Sequence, residues 1–175
     1  EKKYVFDLDN TLVYTNSLNN DSYNYALSIL GLPGIDNIER ITREIVFTKY
    51  PNISMTVRNE ILKIKQEYFK NNLHRTVLNN ILLKSLIMQK KEDCMLWTSA
   101  NSDRVIEILK FYDIEKEFIG VIFGKKQNID LELEKIYKML KCKLEQITFY
   151  EDNKEVIRKL LELGANVIEI WVKKD

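Results

Sequence analysis

Apolar residues along the chain fall into two kinds of spacing, and the order in which these alternate predicts the architecture. The chain opens on Tyr4-Val5-Phe6, a short β-favouring run that stops at Asp7-Leu8-Asp9-Asn10 and predicts a buried strand. From Asp21 to about Arg75 the spacing is helical. Tyr23, Leu27 and Leu30 recur on one face until Gly31, Pro33 and Gly34 interrupt them. A second helical stretch runs from Ile38 to about Phe47 and ends before Tyr50-Pro51. A third, from Val57 to Phe69, carries Ile61, Leu62, Ile64, Tyr68 and Phe69. Nothing in this region reads as a strand. Leu78, Ile81, Leu82, Leu86 and Met88 then mark an amphipathic helix that ends at Lys90-Lys91.

Beyond that helix the period switches repeatedly. Met95-Leu96-Trp97 predicts a strand, and Asp103 to about Tyr112 a helix with Ile106 and Leu109 facing inward. Phe118 to Phe123 reads as strand, Leu131 to Leu140 as helix and Ile147 to Tyr150 as strand. Val156 to Leu163 reads as a helix stopped by Gly164, and Val167 to Val172 as a last strand. Strands separated by single helices imply a parallel sheet with right-handed crossovers. The expected fold is therefore α/β, a Rossmann-like parallel sheet flanked by helices. Residues 1–14 and 73–175 form the core, and residues 15–72 form a small all-helical insertion after the first strand.

Composition narrows the functional classes. The 175 residues are 45% hydrophobic and 30% charged, ordinary values for one folded domain with or without a small insert. Twenty-seven Lys and Arg against 26 Asp and Glu leave a formal charge of +1, which gives no global electrostatic case for binding nucleic acid or a membrane surface. Cys94 and Cys142 are too few for a disulfide framework or a cysteine-rich zinc site, and read as reduced thiols. No apolar run approaches the roughly 20 residues of a membrane span. Glu1-Lys2-Lys3 followed at once by a short strand and two aspartates does not resemble a signal peptide. A cytoplasmic protein without a membrane partner is expected.

In a parallel sheet, ligands gather outside the carboxyl ends of the strands. The residues that follow the predicted strands therefore matter most. Asp7, Asp9 and Thr11 follow the first; Thr98, with Ser99 and Asn101 close by, the second; Lys125 and Lys126 the third; Glu151 and Asp152 the fourth. Carboxylates crowded at one edge repel, and a divalent cation resolves the repulsion. Oxygen donors without His or Cys favour Mg²⁺, which commonly takes a substrate phosphate as a further ligand. Lysine and hydroxyl groups complement a phosphate dianion, so Thr11, Thr98, Ser99, Asn101, Lys125 and Lys126 are the phosphate-binding candidates. Together these groups supply what in-line phosphoryl transfer needs: a nucleophile, a metal, charge neutralisation and a proton donor.

Asp7-Leu8-Asp9-Asn10-Thr11-Leu12 resembles the first motif of the haloacid dehalogenase superfamily. Thr98 closing Met95-Leu96-Trp97 resembles its second motif, the Lys125-Lys126 pair its third, and Phe149-Tyr150-Glu151-Asp152 its acidic fourth. The helical insertion matches the place of that superfamily's helical cap. The resemblance implies a Mg²⁺-dependent hydrolase of phosphate monoesters acting on a small phosphorylated metabolite. In it Asp7 is the nucleophile that forms an aspartyl-phosphate, and Asp9 is the general acid and then the general base. It implies metal ligation by Asp7, the Asp9 backbone carbonyl, Asp152 and Glu151, a phosphoryl contact from Thr98, and a lysine, either Lys125 or Lys126, bridging nucleophile and phosphate. Asp9 also separates this chain from dehalogenases, whose halide leaves without a proton. The alternatives are a sugar phosphomutase of the beta-phosphoglucomutase type and a non-catalytic binding module. Those mutases usually carry a His just after the first motif, and Thr15 to Asn20 contain none. Within the insertion, Tyr23, Tyr25, Arg40 and Arg43 are candidate substrate contacts, and His74, the one histidine, sits near the predicted hinge with no assigned role.

Overall fold

Chain segments with apolar residues on both faces become the central strands. Cys94–Thr98 is buried along its whole length, as a strand covered on both sides must be, while Ile147–Glu151 alternates between buried and half-buried positions. The structure, a computed structural model, describes residues 1–171. Its sheet contains β1 (Lys3–Phe6), β2 (Cys94–Thr98), β3 (Val121–Phe123), β4 (Ile147–Glu151) and β5 (Asn166–Glu169). All neighbours are parallel, in the order β3-β2-β1-β4-β5. The α/β reading with a Rossmann-like parallel sheet holds.

Alternation along the strands divides the core into two faces. Val5, Met95, Trp97, Ile122 and Phe149 share one cluster with residues of the helices Ile129–Leu140 and Lys154–Glu162. The intervening residues serve the opposite face, where Phe6 stacks on Tyr150 with ring centres 4.8 Å apart and meets Phe118 edge-on at 6.0 Å. Gly164 follows the second of those helices with a φ of +80°, a left-handed turn that glycine adopts without a Cβ penalty.

The chain divides into two compact units, Glu1–Tyr14 with Leu78–Asp175, and Thr15–Val77. The second unit is built on α1 (Asn16–Ile29), α2 (Arg43–Lys49) and α3 (Met55–Asn71), with α1 packed against α3. Tyr23, Ala26, Leu27, Ile35, Ile41, Val46 and Ile61 form its interior. The first unit carries α4 (Asn80–Ile87), α5 (Ser102–Phe111), α6 (Ile129–Leu140) and α7 (Lys154–Glu162).

Several local expectations are corrected. The helix expected from Ile38 to Phe47 begins only at Arg43, where the Thr42 side chain caps the Ile45 amide. The preceding stretch is non-helical because asparagines on α1 satisfy its backbone. Asn24 accepts from the Ile35 amide at 2.8 Å and donates to its carbonyl at 3.1 Å. Asn20 accepts from the Ile41 amide at 2.7 Å, and Asn19 donates to the Ile41 carbonyl at 2.9 Å. These long-range bonds replace the local i→i−4 ladder. The first helix begins at Asn16 rather than Asp21. Ile106 is exposed, and Val105, Ile108 and Leu109 form the inner face of α5 instead. Ile81 and Met88 are also exposed, leaving Leu82 and Leu86 as the buried side of α4. The third strand starts at Val121, because Phe118 and Ile119 precede the ladder as an irregular segment. The last strand ends at Glu169; the end expected at Val172 lies outside the described residues. Among the described residues, no helix is long and apolar enough to cross a membrane.

Candidate functional site

The strand order places a topological switch between β1 and β4: the chain leaves β1 toward β2 and β3, then returns to the other side of β1 as β4 and β5. Crevices at such a point open at the strands' carboxyl ends. Asp7 directly follows β1, and its amide extends the ladder to the Tyr150 carbonyl at 2.9 Å. Glu151 closes β4 and Asp152 follows it. One carboxylate oxygen from each of Asp7, Glu151 and Asp152 lies within 4.8 Å of the others.

The loop after β1 is wound tightly to hold Asp7 in place. The Leu8 carbonyl accepts from the amides of Thr11, Leu12 and Val13 at 3.3, 3.0 and 3.0 Å, and Asn10 takes a left-handed φ of 61° that asparagine tolerates better than most residues. Leu8 and Leu12 anchor the loop as fully buried side chains. Thr11, also buried, donates its hydroxyl to Asp152 Oδ1 at 3.3 Å, joining the two strand ends.

Lys126 supplies the positive charge. Its Nζ donates to Asp7 Oδ1 and to Glu151 Oε2, each at 2.6 Å, and lies 4.8 Å from the centre of the Trp97 ring. Burial opposes the lysine's charge, but the Asp7 and Glu151 carboxylates outweigh it and hold the ammonium group above its ordinary pKa. Glu151 is shifted upward, chiefly by burial and then by Asp7, against the pull of Lys126. Its second oxygen accepts from the backbone amides of Asp152 and Asn153 at 3.1 and 3.0 Å. Burial, reinforced by the charges of Asp7 and Glu151, pushes Asp152 up to about 8. Burial and two neighbouring carboxylates thus both disfavour the charged form of Asp152. The cluster of hard oxygen donors fits a divalent metal, which would offset the mutual repulsion of the carboxylates.

The other sequence candidates distribute unevenly. Thr98 ends β2 fully buried, with its Oγ1 accepting from the Ala100 amide at 3.1 Å. Ser99 and Lys125 are exposed, and Asn101, also exposed, spends its side chain on the Asp103 amide at 3.0 Å as the cap of α5. The structure thus brings Lys126, not Lys125, to Asp7. The Asp9 carboxylate turns to an ion pair with Arg104. In the helical unit, Tyr23 is core, Tyr25 stacks on Tyr68 at 4.4 Å, Arg40 donates to Asn16 at 2.8 Å and Thr15 at 3.2 Å, and Arg43 and His74 are exposed.

Two residues of the site region carry no sequence signal. Arg104 sits at the start of what reads as an ordinary amphipathic helix, and only the tertiary fold shows it against Asp9. Glu132 reads as one more acid on the outer face of α6. In the structure Glu132 accepts from the Trp97 indole at 2.6 Å and from the Lys126 amide at 3.1 Å, and it occupies the space beside Gly124, where a Cβ would meet the carboxylate at 2.2 Å. It thereby braces a loop in which Lys126 takes a left-handed φ of 55°.

No family model matches the sequence, nor does any curated protein. Solved structures do match along nearly the whole chain. A protein assigned as a phosphoglycolate phosphatase from Haemophilus somnus 129pt superposes with a TM-score of 0.78 at 19% identity, over 96% of this chain and 84% of that one. A protein assigned as a beta-phosphoglucomutase from Thermotoga maritima gives 0.76 at 19% identity, covering 100% and 88%. A HAD hydrolase, family IA, variant 3, from Entamoeba histolytica gives 0.75 at 20%, covering 100% and 86%. The chain therefore has the fold of the haloacid dehalogenase-type hydrolases.

Proposed function

We propose that this protein is a Mg²⁺-dependent phosphomonoester hydrolase that acts on a small phosphorylated metabolite through an aspartyl-phosphate on Asp7. The observation that carries this reading is the convergence of Lys126 on Asp7 and Glu151, beside Asp152, at the sheet's switch point. The fold shared with proteins named as phosphatases supports it. Asp7 attacks phosphorus while the ester oxygen departs and takes a proton from Asp9. Asp9 then receives a proton from the water that attacks the aspartyl-phosphate, the Asp7–phosphorus linkage breaks, and inorganic phosphate is released. Lys126 holds the Asp7 carboxylate in place and offsets charge on the transferring group. Thr98, whose oxygen accepts from the Ala100 amide, keeps its hydroxyl proton for donation to a phosphoryl oxygen in this reading. Asp7 and Asp152, with the Asp9 carbonyl and Glu151, would hold the metal, which when bound polarises the phosphoryl oxygens and screens the carboxylates. The helical unit Thr15–Val77 serves substrate selection in this reading. The absence of a histidine between Thr15 and Asn20 favours hydrolysis over mutase chemistry.

The test is release of phosphate from 4-nitrophenyl phosphate by the purified protein. Mg²⁺-dependent turnover that EDTA abolishes is expected; no release under either condition overturns the reading.

The raised pKa of Asp152 gives a second expectation. Between its ordinary pKa of about 3.9 and its folded value of about 8, the folded protein keeps a proton that the unfolded chain has lost. This group therefore lowers the stability of the metal-free protein as pH rises through that window. Metal must displace the same proton, so apparent Mg²⁺ affinity at pH 6.5 should be about 30-fold weaker than above pH 9. Thermal denaturation with graded Mg²⁺ should show the larger shift at pH 9, and Asp152→Asn should remove the pH dependence. Equal shifts at both pH values would show that metal binding displaces no proton from Asp152.

A further inference from the structure

We propose that Arg104 is the positioning residue for the proton-donating carboxylate of Asp9, an inference that rests on the hydrolase reading above. Arg104 lies in the first turn of α5, 95 positions along the chain from Asp9, and its Nη2 donates to Asp9 Oδ2. The arginine side chain is 9% exposed and that of Asp9 17%.

Helix electrostatics do not account for a cation here, since the N-terminal turn of a helix favours negative groups. Stability does not account for it well either. A buried ion pair is often matched or bettered by apolar side chains of the same volume, because both ions must be desolvated. What the pair does supply is orientation. Asp9 sits on the tightly wound loop two residues beyond Asp7, and the arginine contact bears on the χ1 and χ2 of its carboxylate. A guanidinium held by a capped helix fixes Oδ2 and therefore the rotamer. The proton delivered to the leaving group then resides on Oδ1, at a defined place relative to Asp7. Arg104 keeps its charge throughout. In the first half-reaction the Oδ1–H bond breaks as the ester P–O bond breaks and the departing oxygen gains the proton. In the second, Oδ1 regains a proton from the attacking water.

This role predicts dependence on the leaving group. An aryl ester departs as a stabilised phenolate and needs little help from an acid, whereas an alkyl ester departs as an alkoxide and depends on one. Arg104→Met should lower kcat/KM, which reports the phosphorylation half-reaction alone, by about 100-fold for an alkyl phosphate such as glycerol phosphate and by about fivefold for 4-nitrophenyl phosphate. Arg104→Lys should restore part of the alkyl rate, because an ammonium group can hold one carboxylate oxygen. It also serves as the test protein if the methionine variant does not fold. Fluoroberyllate, which mimics the phosphorylated Asp7 and requires no acid, should bind Arg104→Met in the presence of Mg²⁺ with an affinity within about threefold of wild type, read by ¹⁹F NMR.

Equal losses of kcat/KM on the two esters would overturn the positioning role and make Arg104 a structural or substrate-binding residue. Loss of fluoroberyllate binding in both variants would do the same. If the wild-type protein neither turns over an ester nor binds fluoroberyllate, the hydrolase reading itself falls, an outcome separate from any seen in the variants.

Discussion

Asp7→Asn should lower phosphate release by at least about 10⁴-fold, the scale on which removal of a nucleophile disables covalent catalysis, while making the metal-free protein more stable. Asparagine keeps the volume of aspartate, and its Oδ1 can still accept from Lys126 Nζ, which now lies 2.6 Å from the carboxylate. Its amide nitrogen can donate toward Asp152. The negative charge is lost, and that charge contributes to the upward shifts of both Glu151 and Asp152. Relieving it lowers the cost of burying those two groups. Activity and stability therefore move in opposite directions, as expected where a reactive cluster is maintained at the expense of the fold. A generally damaging substitution would reduce both. Phosphate release at saturating Mg²⁺ and thermal denaturation in EDTA make the comparison. Turnover within tenfold of wild type would remove Asp7 as the nucleophile.

The sequence and the structure agree best where short-range pattern decides the outcome. Tyr4-Val5-Phe6 ending in Asp7, and Ile147 to Tyr150 ending in Glu151-Asp152, are strands whose apolar composition marks them and whose polar ends mark the sheet edge. Parallel alternation then brings the two acidic ends together without further information. The lysine needed more. Both members of Lys125-Lys126 follow β3, and what separates them is the left-handed turn at Lys126, held by Glu132 through bonds that span 6 and 35 positions. Non-local bonds also explain the larger miss. The segment before Thr42 carries apolar residues at helical spacing, yet asparagines on α1 capture its amides and carbonyls, and spacing alone does not record a competing partner. Arg104 is the same problem for a charged side chain. A partly buried salt bridge across 95 positions leaves no local trace at either end.

Lys126→Met is the second substitution with a large expected effect, and its value lies in how it combines with a change at Glu151. Methionine preserves the unbranched stem that passes Trp97 and removes the ammonium group. Asp7 and Glu151 are then buried opposite one another with no counter-charge, a situation that costs about 3–5 kcal/mol when one partner of a buried pair is deleted. Phosphate release should fall by at least about 10³-fold, since the transferring group loses its fixed positive neighbour. Adding Glu151→Gln separates the two effects. The glutamine oxygen can still accept from the amides of Asp152 and Asn153, its NH₂ group faces the uncharged thioether that replaces the lysine, and one of the two facing charges is gone. The double variant should recover most of the lost stability and none of the lost activity. Chemical denaturation in EDTA of the two single variants and the double variant gives the coupling energy of the pair, and phosphate release at saturating Mg²⁺ gives the catalytic loss. A Lys126→Met protein that keeps activity within tenfold of wild type would show that the amine holds the cluster together without taking part in phosphoryl transfer. A double variant that regained activity along with stability would show that the loss in the single variant came from a collapsed site, and that the lysine's charge on the substrate is dispensable.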